Sequence, residues 1–127
     1  MSAWTADELD RIAEAEELQL ASAHSDGTLR KPVTIWVVRL GDDLFVRSAY
    51  GRTSHWFRGV GESYEGRIGA GGVDKDVTFA EVDDEEVNDA IDAAYRTKYR
   101  RYSARYVDPI VAARARAATL RLVPRSS

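Results

Sequence analysis

The six residues Val33-Thr34-Ile35-Trp36-Val37-Val38 constrain this chain more than any others. All are β-branched or aromatic, which favours an extended strand. Side chains alternate between faces along a strand, so Ile35 and Val37 point one way and Trp36 and Val38 the other. Both faces are apolar, and both must be covered. One face can line the interior of a small barrel. The other needs a helix of the same chain, the one expected over residues 84–106, or a second copy, which makes a homodimer an expectation.

The surrounding pattern extends the strand into hairpins. Gly41-Asp42-Asp43 interrupts it, and Leu44-Phe45-Val46-Arg47-Ser48 reads as the returning strand. Upstream, Leu18, Leu20 and Ser22 alternate with Gln19, Ala21 and Ala23. Ser25-Asp26-Gly27 then supplies a tight turn, so this strand is expected to pair antiparallel with Leu29–Leu40. Thr5-Ala6-Asp7-Glu8 fits a capping box that opens an amphipathic helix to about Glu17. The glycines between Glu65 and Gly72 do not form a dinucleotide-binding fingerprint. Gly71-Gly72 reads instead as a turn into a strand over Asp76–Val82.

Asp83 or Asp84 is placed to cap a long helix. On it Val87, Ile91, Tyr95, Tyr99, Tyr102 and Tyr106 share one face, with acids in the first turns and cations in the last. Asp108-Pro109 is expected to end this helix and to start a one-turn helix. Thr119–Val123 reads as a closing strand with Leu120 and Leu122 inward, and Pro124 to Ser127 as a tail. Five or six antiparallel strands with an N-terminal helix and a long helix before the last strand make an α+β, mainly β chain. The expected architecture is a small barrel with helices packed outside it, one domain over residues 1–127.

Cysteine is absent from the 127 residues, which excludes disulfides, thiolate zinc sites and a cysteine nucleophile and suits a reducing cytoplasm. No apolar run approaches the roughly 20 residues of a membrane helix. The net charge of -3 argues against a general nucleic-acid binder. Yet between Leu29 and Gly61 six cations stand against two acids. A basic island on an acidic chain points to a small anionic ligand.

Within that island, Arg52-Thr53-Ser54 precedes His55-Trp56 at an expected helix start, where acids are normally favoured. The first acid that follows is Glu62. An anion bound there by free amides, the two hydroxyls and Arg52 would relieve the conflict, and a phosphate fits that description. Ser54 or Thr53 acting only as a cap, with Arg52 solvated, is the alternative. His24 and His55 lack the spacing of a metal site, and Ser54-His55 lacks the GxSxG elbow of a hydrolase. An anion clamp beside Trp36, Tyr50, Trp56 and Phe57, with few reactive side chains, is what a redox-cofactor protein needs.

The run TLRKPVTIWVVRLGDDLFVRS, the later GGVDKDVTF and the closing ATLRLVPR resemble the bacterial family named domain of unknown function 2255. That family is similar to the flavin- and deazaflavin-binding split β-barrels, which include pyridoxamine-phosphate oxidase-like proteins. The resemblance implies a homodimer with cofactor sites at the subunit interface, and FMN or the deazaflavin coenzyme as cofactor. By position it implies that Lys31, Pro32, Val33 and Thr34 line the ring, that Arg47, Ser48, Arg52, Thr53 and Ser54 hold the phosphate, and that Trp56 walls the slot. The serine-lysine pattern common after the third strand is replaced here by Arg52-Thr53-Ser54-His55, which leaves FMN, deazaflavin or neither open. An oxidoreductase and a non-catalytic dimeric module for a small anionic ligand are the two functions this implies.

Overall fold

The computed structural model describes residues 3–125; Ser126 and Ser127 of the expected tail lie outside the described residues. The chain opens with α1 (Ala6–Glu14), where Thr5 and Glu8 form both arms of the capping box. This helix stops one turn short of the expected Glu17. The strands are β1 (Leu18–Ser22), β2 (Val33–Ile35), β3 (Val38–Leu40), β4 (Asp43–Arg47), β5 (Glu65–Ala70), β6 (Val73–Glu81) and β7 (Thr119–Pro124). Between β4 and β5 lie a 3-10 turn at Gly51–Thr53 and the short helix α2 (His55–Val60). Between β6 and β7 lie α3 (Glu85–Lys98), α4 (Ala104–Val111) and α5 (Ala113–Arg116).

All strand pairs are antiparallel, in the order β2-β1-β5-β6-β7-β4-β3. The β1–β2 hairpin is antiparallel, as expected, with Leu18 opposite Ile35 and Leu20 opposite Val33. The Asp26-Gly27 turn joins them, with the Thr28 N–H donating to Asp26 Oδ1 at 3.0 Å. Gly71-Gly72 turns β5 into β6, both residues at positive φ.

The strand expected to run unbroken from Leu29 to Leu40 is divided, which raises the count to seven. β2 pairs with β1 at one end of the sheet, and β3 pairs with β4 at the other. Only Trp36 and Val37 separate β2 from β3, so the two ends of the sheet must meet and the sheet curls into a split barrel. Where the chain crosses, Val37 leaves the ladder, and its buried backbone groups need other partners. The Tyr99 hydroxyl accepts from the Val37 N–H at 3.2 Å and donates to the Glu16 carbonyl at 2.7 Å. Lys98 Nζ donates to the Val37 carbonyl at 2.7 Å.

The two apolar faces of this stretch are covered within the chain. Val37 joins the barrel interior with Leu18, Leu20, Leu44, Val46, Ile68, Val77, Phe79, Leu120 and Leu122. Val38 and Trp36 pack with Phe45 against Ile91, Tyr95 and Tyr99 of the α3 segment. Trp36 lies flat on Tyr99, with ring centroids 3.9 Å apart and planes 6° from parallel.

The helix expected over 84–106 is shorter. Asp84 caps α3 by accepting from the Val87 N–H, but the helix ends at Tyr99, whose hydroxyl is fixed at the barrel split. The chain restarts at Ser103 as α4. Tyr106 is therefore off the packed face and 58% exposed. Asp108-Pro109 falls inside α4 instead of starting a new helix. So close to the helix end, the missing Pro109 N–H removes one backbone bond without breaking the helix.

Burial lowers the Lys98 pKa from 10.5 to about 8. The folded state therefore holds fewer protons than the unfolded chain between these values, and its stability rises with pH there. Chemical denaturation at pH 8 and pH 10 is expected to show a gain for the natural protein that Lys98→Met lacks. An equal gain in both would remove the burial argument. Tyr95 and Tyr99, whose phenols burial pushes up from 10.0, oppose this gain only near pH 10, where they begin to ionise in the unfolded chain, and they do so equally in Lys98→Met.

Candidate functional site

The expected site residues separate into two groups. Lys31, Pro32, Val33 and Thr34 lie at the start of β2, and Trp56 lies opposite on α2. Lys31, Pro32, Val33 and Trp56 share the wall of an open groove of about 740 Å³, with His55, His24 and Arg30 at its rim. That volume is within the range of small-ligand sites. A second hollow of about 350 Å³ adjoins it, and Val33 and Trp56 belong to both; Thr34 lines this second one.

α2 brings its residues to the groove because Phe57 and Val60 are buried in the barrel interior, leaving His55 exposed and Trp56 half-buried at the lip. Trp56 and Phe57 meet edge to face at 5.9 Å. Gly59 lets α2 approach this closely: a Cβ there would stand 3.1 Å from both Arg30 Nε and Ser22 Oγ. Arg30 Nη1 donates to the carbonyls of Ala23 and Gly59, and Nη2 pairs with Glu62. Glu62 also accepts from the Ser25 N–H. That bond first, and Arg30 second, hold its pKa below the usual carboxylate range. Arg30 and Glu62 thus fasten the β1–β2 turn to the end of α2, and the charge of Arg30 is largely spent there. Lys31 is exposed and has no carboxylate within salt-bridge distance among the described residues.

The second group is engaged within the protein. Arg47 has a fully buried side chain, and its five N–H donors are all used. Nε donates to Thr119 Oγ1 at 2.9 Å, and Nη1 to the Ile110 carbonyl and to Asp92. Nη2 donates to the carbonyl and Oδ1 of Asn88 at 3.0 and 2.8 Å. Ser48 is buried, and its Oγ shares a 2.6 Å hydrogen bond with Ser54 Oγ. Ser54 sits at the N-cap of α2 but supplies no side-chain cap, so the first amides of α2 receive none. Thr53 is exposed. Arg52 donates to both oxygens of Glu81 and to the Ala117 carbonyl. Glu81 also accepts from the Tyr64 hydroxyl, and Arg52, ahead of Tyr64, lowers its pKa. The charge conflict at the start of α2 is thus met by Glu81, 29 positions from Arg52 on β6, which no local pattern announces.

Sequence reasoning missed His55 and His24 as groove residues and Tyr106 as a wall of the second hollow, whereas Tyr50, expected beside the anion clamp, lines that hollow. For His55 the signal was available: it precedes Trp56 on a helix whose Phe57 and Val60 must face inward.

A curled antiparallel sheet split at a bent strand, with helices outside and a groove along that strand, defines the split β-barrel class. Within that class the chain belongs to the family described as an uncharacterised protein conserved in bacteria, domain of unknown function 2255, matched over residues 8–122. No curated protein matches it. Among solved structures it is similar to the conserved hypothetical protein Rv2991 from Mycobacterium tuberculosis, with a TM-score of 0.71 and 13% identity over 98% of this chain and 83% of that one. The heme storage protein HutZ from Vibrio cholerae gives 0.64 and 14%, covering 93% and 87%. An FAD-binding protein from Mesorhizobium loti gives 0.62 and 16%, covering 98% and 92%. At these identities the likeness is one of fold. No helix among the described residues is long and apolar enough to cross a membrane.

Proposed function

We propose that the protein binds a phosphate-bearing flavin, FMN or the deazaflavin coenzyme, in the groove between β2 and α2. The observation that carries this reading is the pairing of Lys31, a cation with no carboxylate partner among the described residues, with a wall of Pro32, Val33 and Trp56 in a groove of about 740 Å³. The residues fit such a group. Lys31 is a donor for a phosphate, and Trp56 and Val33 offer an apolar surface for a ring. The FAD-binding protein of the same fold supports the choice of a flavin. A flavin would supply two-electron redox chemistry there. The chain's own residues hold its anion, fix its plane and exclude water from one face; no side chain in the groove is needed as a nucleophile or acid-base pair. Catalysis by a cofactor so held makes the protein an oxidoreductase. Without a substrate the same groove serves a binding module.

This reading gives Arg52 a structural part, because Glu81 already takes its fork, and moves the phosphate contact to Lys31. Equilibrium titration with each cofactor, followed by cofactor fluorescence, tests it. Saturable binding of either supports the groove as a flavin site, and binding of neither removes it.

The homodimer belongs to the same proposal. A second copy would close the open side of the groove, where Leu29 is 49% exposed. Sedimentation equilibrium at micromolar concentration is expected to give twice the monomer mass of 14.2 kDa. A monomer mass that persists with cofactor bound would contradict it.

A further inference from the structure

A further hollow lies where α1, β3 and α3 meet, and it shares no residue with the two beside Trp56. We propose that it is a site where Lys98 captures a small apolar aldehyde as an imine.

The hollow measures about 470 Å³, within the range of small-ligand sites. Val38 and Leu40 of β3, Ala13 of α1 and Ala90, Ala93 and Ala94 of α3 give it an apolar wall. The alanine side chains leave open the space that larger ones would fill. Among the described residues, the ionisable groups on this wall are Lys98 and Arg39. Arg39 is engaged: Nε donates to the Gly41 carbonyl at 2.7 Å and Nη1 to Asp10 Oδ1 at 2.8 Å.

Lys98 is held differently. Its Nζ donates to the Val37 carbonyl at 2.7 Å, so the barrel split fixes its position. Among the described residues it has no carboxylate within salt-bridge distance, whereas Lys75 is paired with Glu8 at 2.9 Å. Glu16, whose carbonyl meets the Tyr99 hydroxyl, has its carboxylate taken by Arg101. The Tyr99 ring, 5.3 Å from Nζ, attracts a cation, but less than a carboxylate would. Burial lowers the Lys98 pKa to about 8, so about half of it is free amine at pH 8. A desolvated amine in an apolar hollow is the form that adds to carbonyl compounds.

In the step, the Nζ lone pair attacks the aldehyde carbon and the π pair of the C=O bond moves to oxygen. That oxygen takes both amine protons and leaves as water. A C=N bond thus replaces the C=O bond with no change of oxidation state. The protonated imine keeps one N–H for the Val37 carbonyl, which the Tyr99 hydroxyl also meets at 3.2 Å. The assignment does not depend on a flavin in the groove between β2 and α2.

Reductive trapping of the full protein with hexanal and cyanoborohydride at pH 8 tests it. Cyanoborohydride delivers hydride to the imine carbon and leaves a stable secondary amine. Peptide mass mapping assigns that amine to Lys31, Lys75 or Lys98, the lysines of the chain. Labelling at Lys98 is expected to be about tenfold faster than at the other two and to saturate with hexanal. Ala90→Phe and Ala93→Phe, at exposed positions of α3 that line the hollow, are expected to slow Lys98 about tenfold and to leave Lys31 unchanged. Circular dichroism checks that both variants retain the fold. Labelling of Lys31 or Lys75 at the Lys98 rate, labelling that does not saturate, or a Lys98 rate indifferent to both variants would each overturn the assignment.

Discussion

Replacing Arg47 with Met is expected to destabilise the protein by about 3–5 kcal/mol, measured by urea denaturation of the two proteins at one pH. Removing one partner of a buried ion pair leaves the other charge uncompensated, and that costs more than the pair contributes. Here the loss falls on four residues of three segments at once. Asp92 keeps only Arg116, while Asn88 of α3, Ile110 of α4 and Thr119 of β7 each lose a donor. These contacts hold the helical layer against the outer face of β4. Replacing Arg47 with Met and Asp92 with Leu together is expected to recover a large part of the loss, since an apolar pair of similar volume removes both charges. A single-variant cost below about 1 kcal/mol would show that the network is weakly coupled to folding.

The second large effect is on binding. Lys31→Ala is expected to weaken FMN about tenfold, the lower end of the roughly 1.5–3 kcal/mol that a hydrogen bond to a charged group contributes, because Lys31 is exposed and screened. Its unfolding transition is expected to stay where it was, since the side chain makes no ion pair among the described residues. Arg52→Ala should do the reverse. It gives up the clasp to Glu81 and Ala117 and loses some stability, with little change in affinity. A strong loss of FMN binding in Arg52→Ala with none in Lys31→Ala would return the phosphate to the turn after β4.

Much of the frame was legible in local pattern. The Thr5–Glu8 box, the Asp26-Gly27 turn, the antiparallel pairing of the first hairpin, the Asp84 cap and inward Leu120 and Leu122 all follow from residues a few positions apart. The division at Trp36-Val37 did not, because the apolar pattern runs through it unbroken. What permits the break is supplied from 61 and 62 positions away, by Lys98 and Tyr99. The two apolar faces of that strand suggested either a helix or a second copy, and the helix covers it.

The roles of Arg47 and Arg52 were hidden for the same reason: their partners are 29 to 72 positions distant. One signal for Arg47 was present. Leu44 and Val46 face the interior, so Arg47 must face the helices, and Asn88 and Asp92 are four apart on one helical face. Lys31, Pro32 and Val33 were named through the family resemblance and not through local pattern, and they lie together on the wall of the groove.

The most direct test is equilibrium binding of FMN and the deazaflavin coenzyme to the natural protein and to Lys31→Ala, at low and at high salt. The groove between β2 and α2 predicts saturable binding of one cofactor, weaker at high salt, with the salt effect reduced in the variant because one screened cation has gone. No saturable binding of either cofactor, or binding that ignores both salt and Lys31, would contradict a phosphate-bearing flavin in this groove.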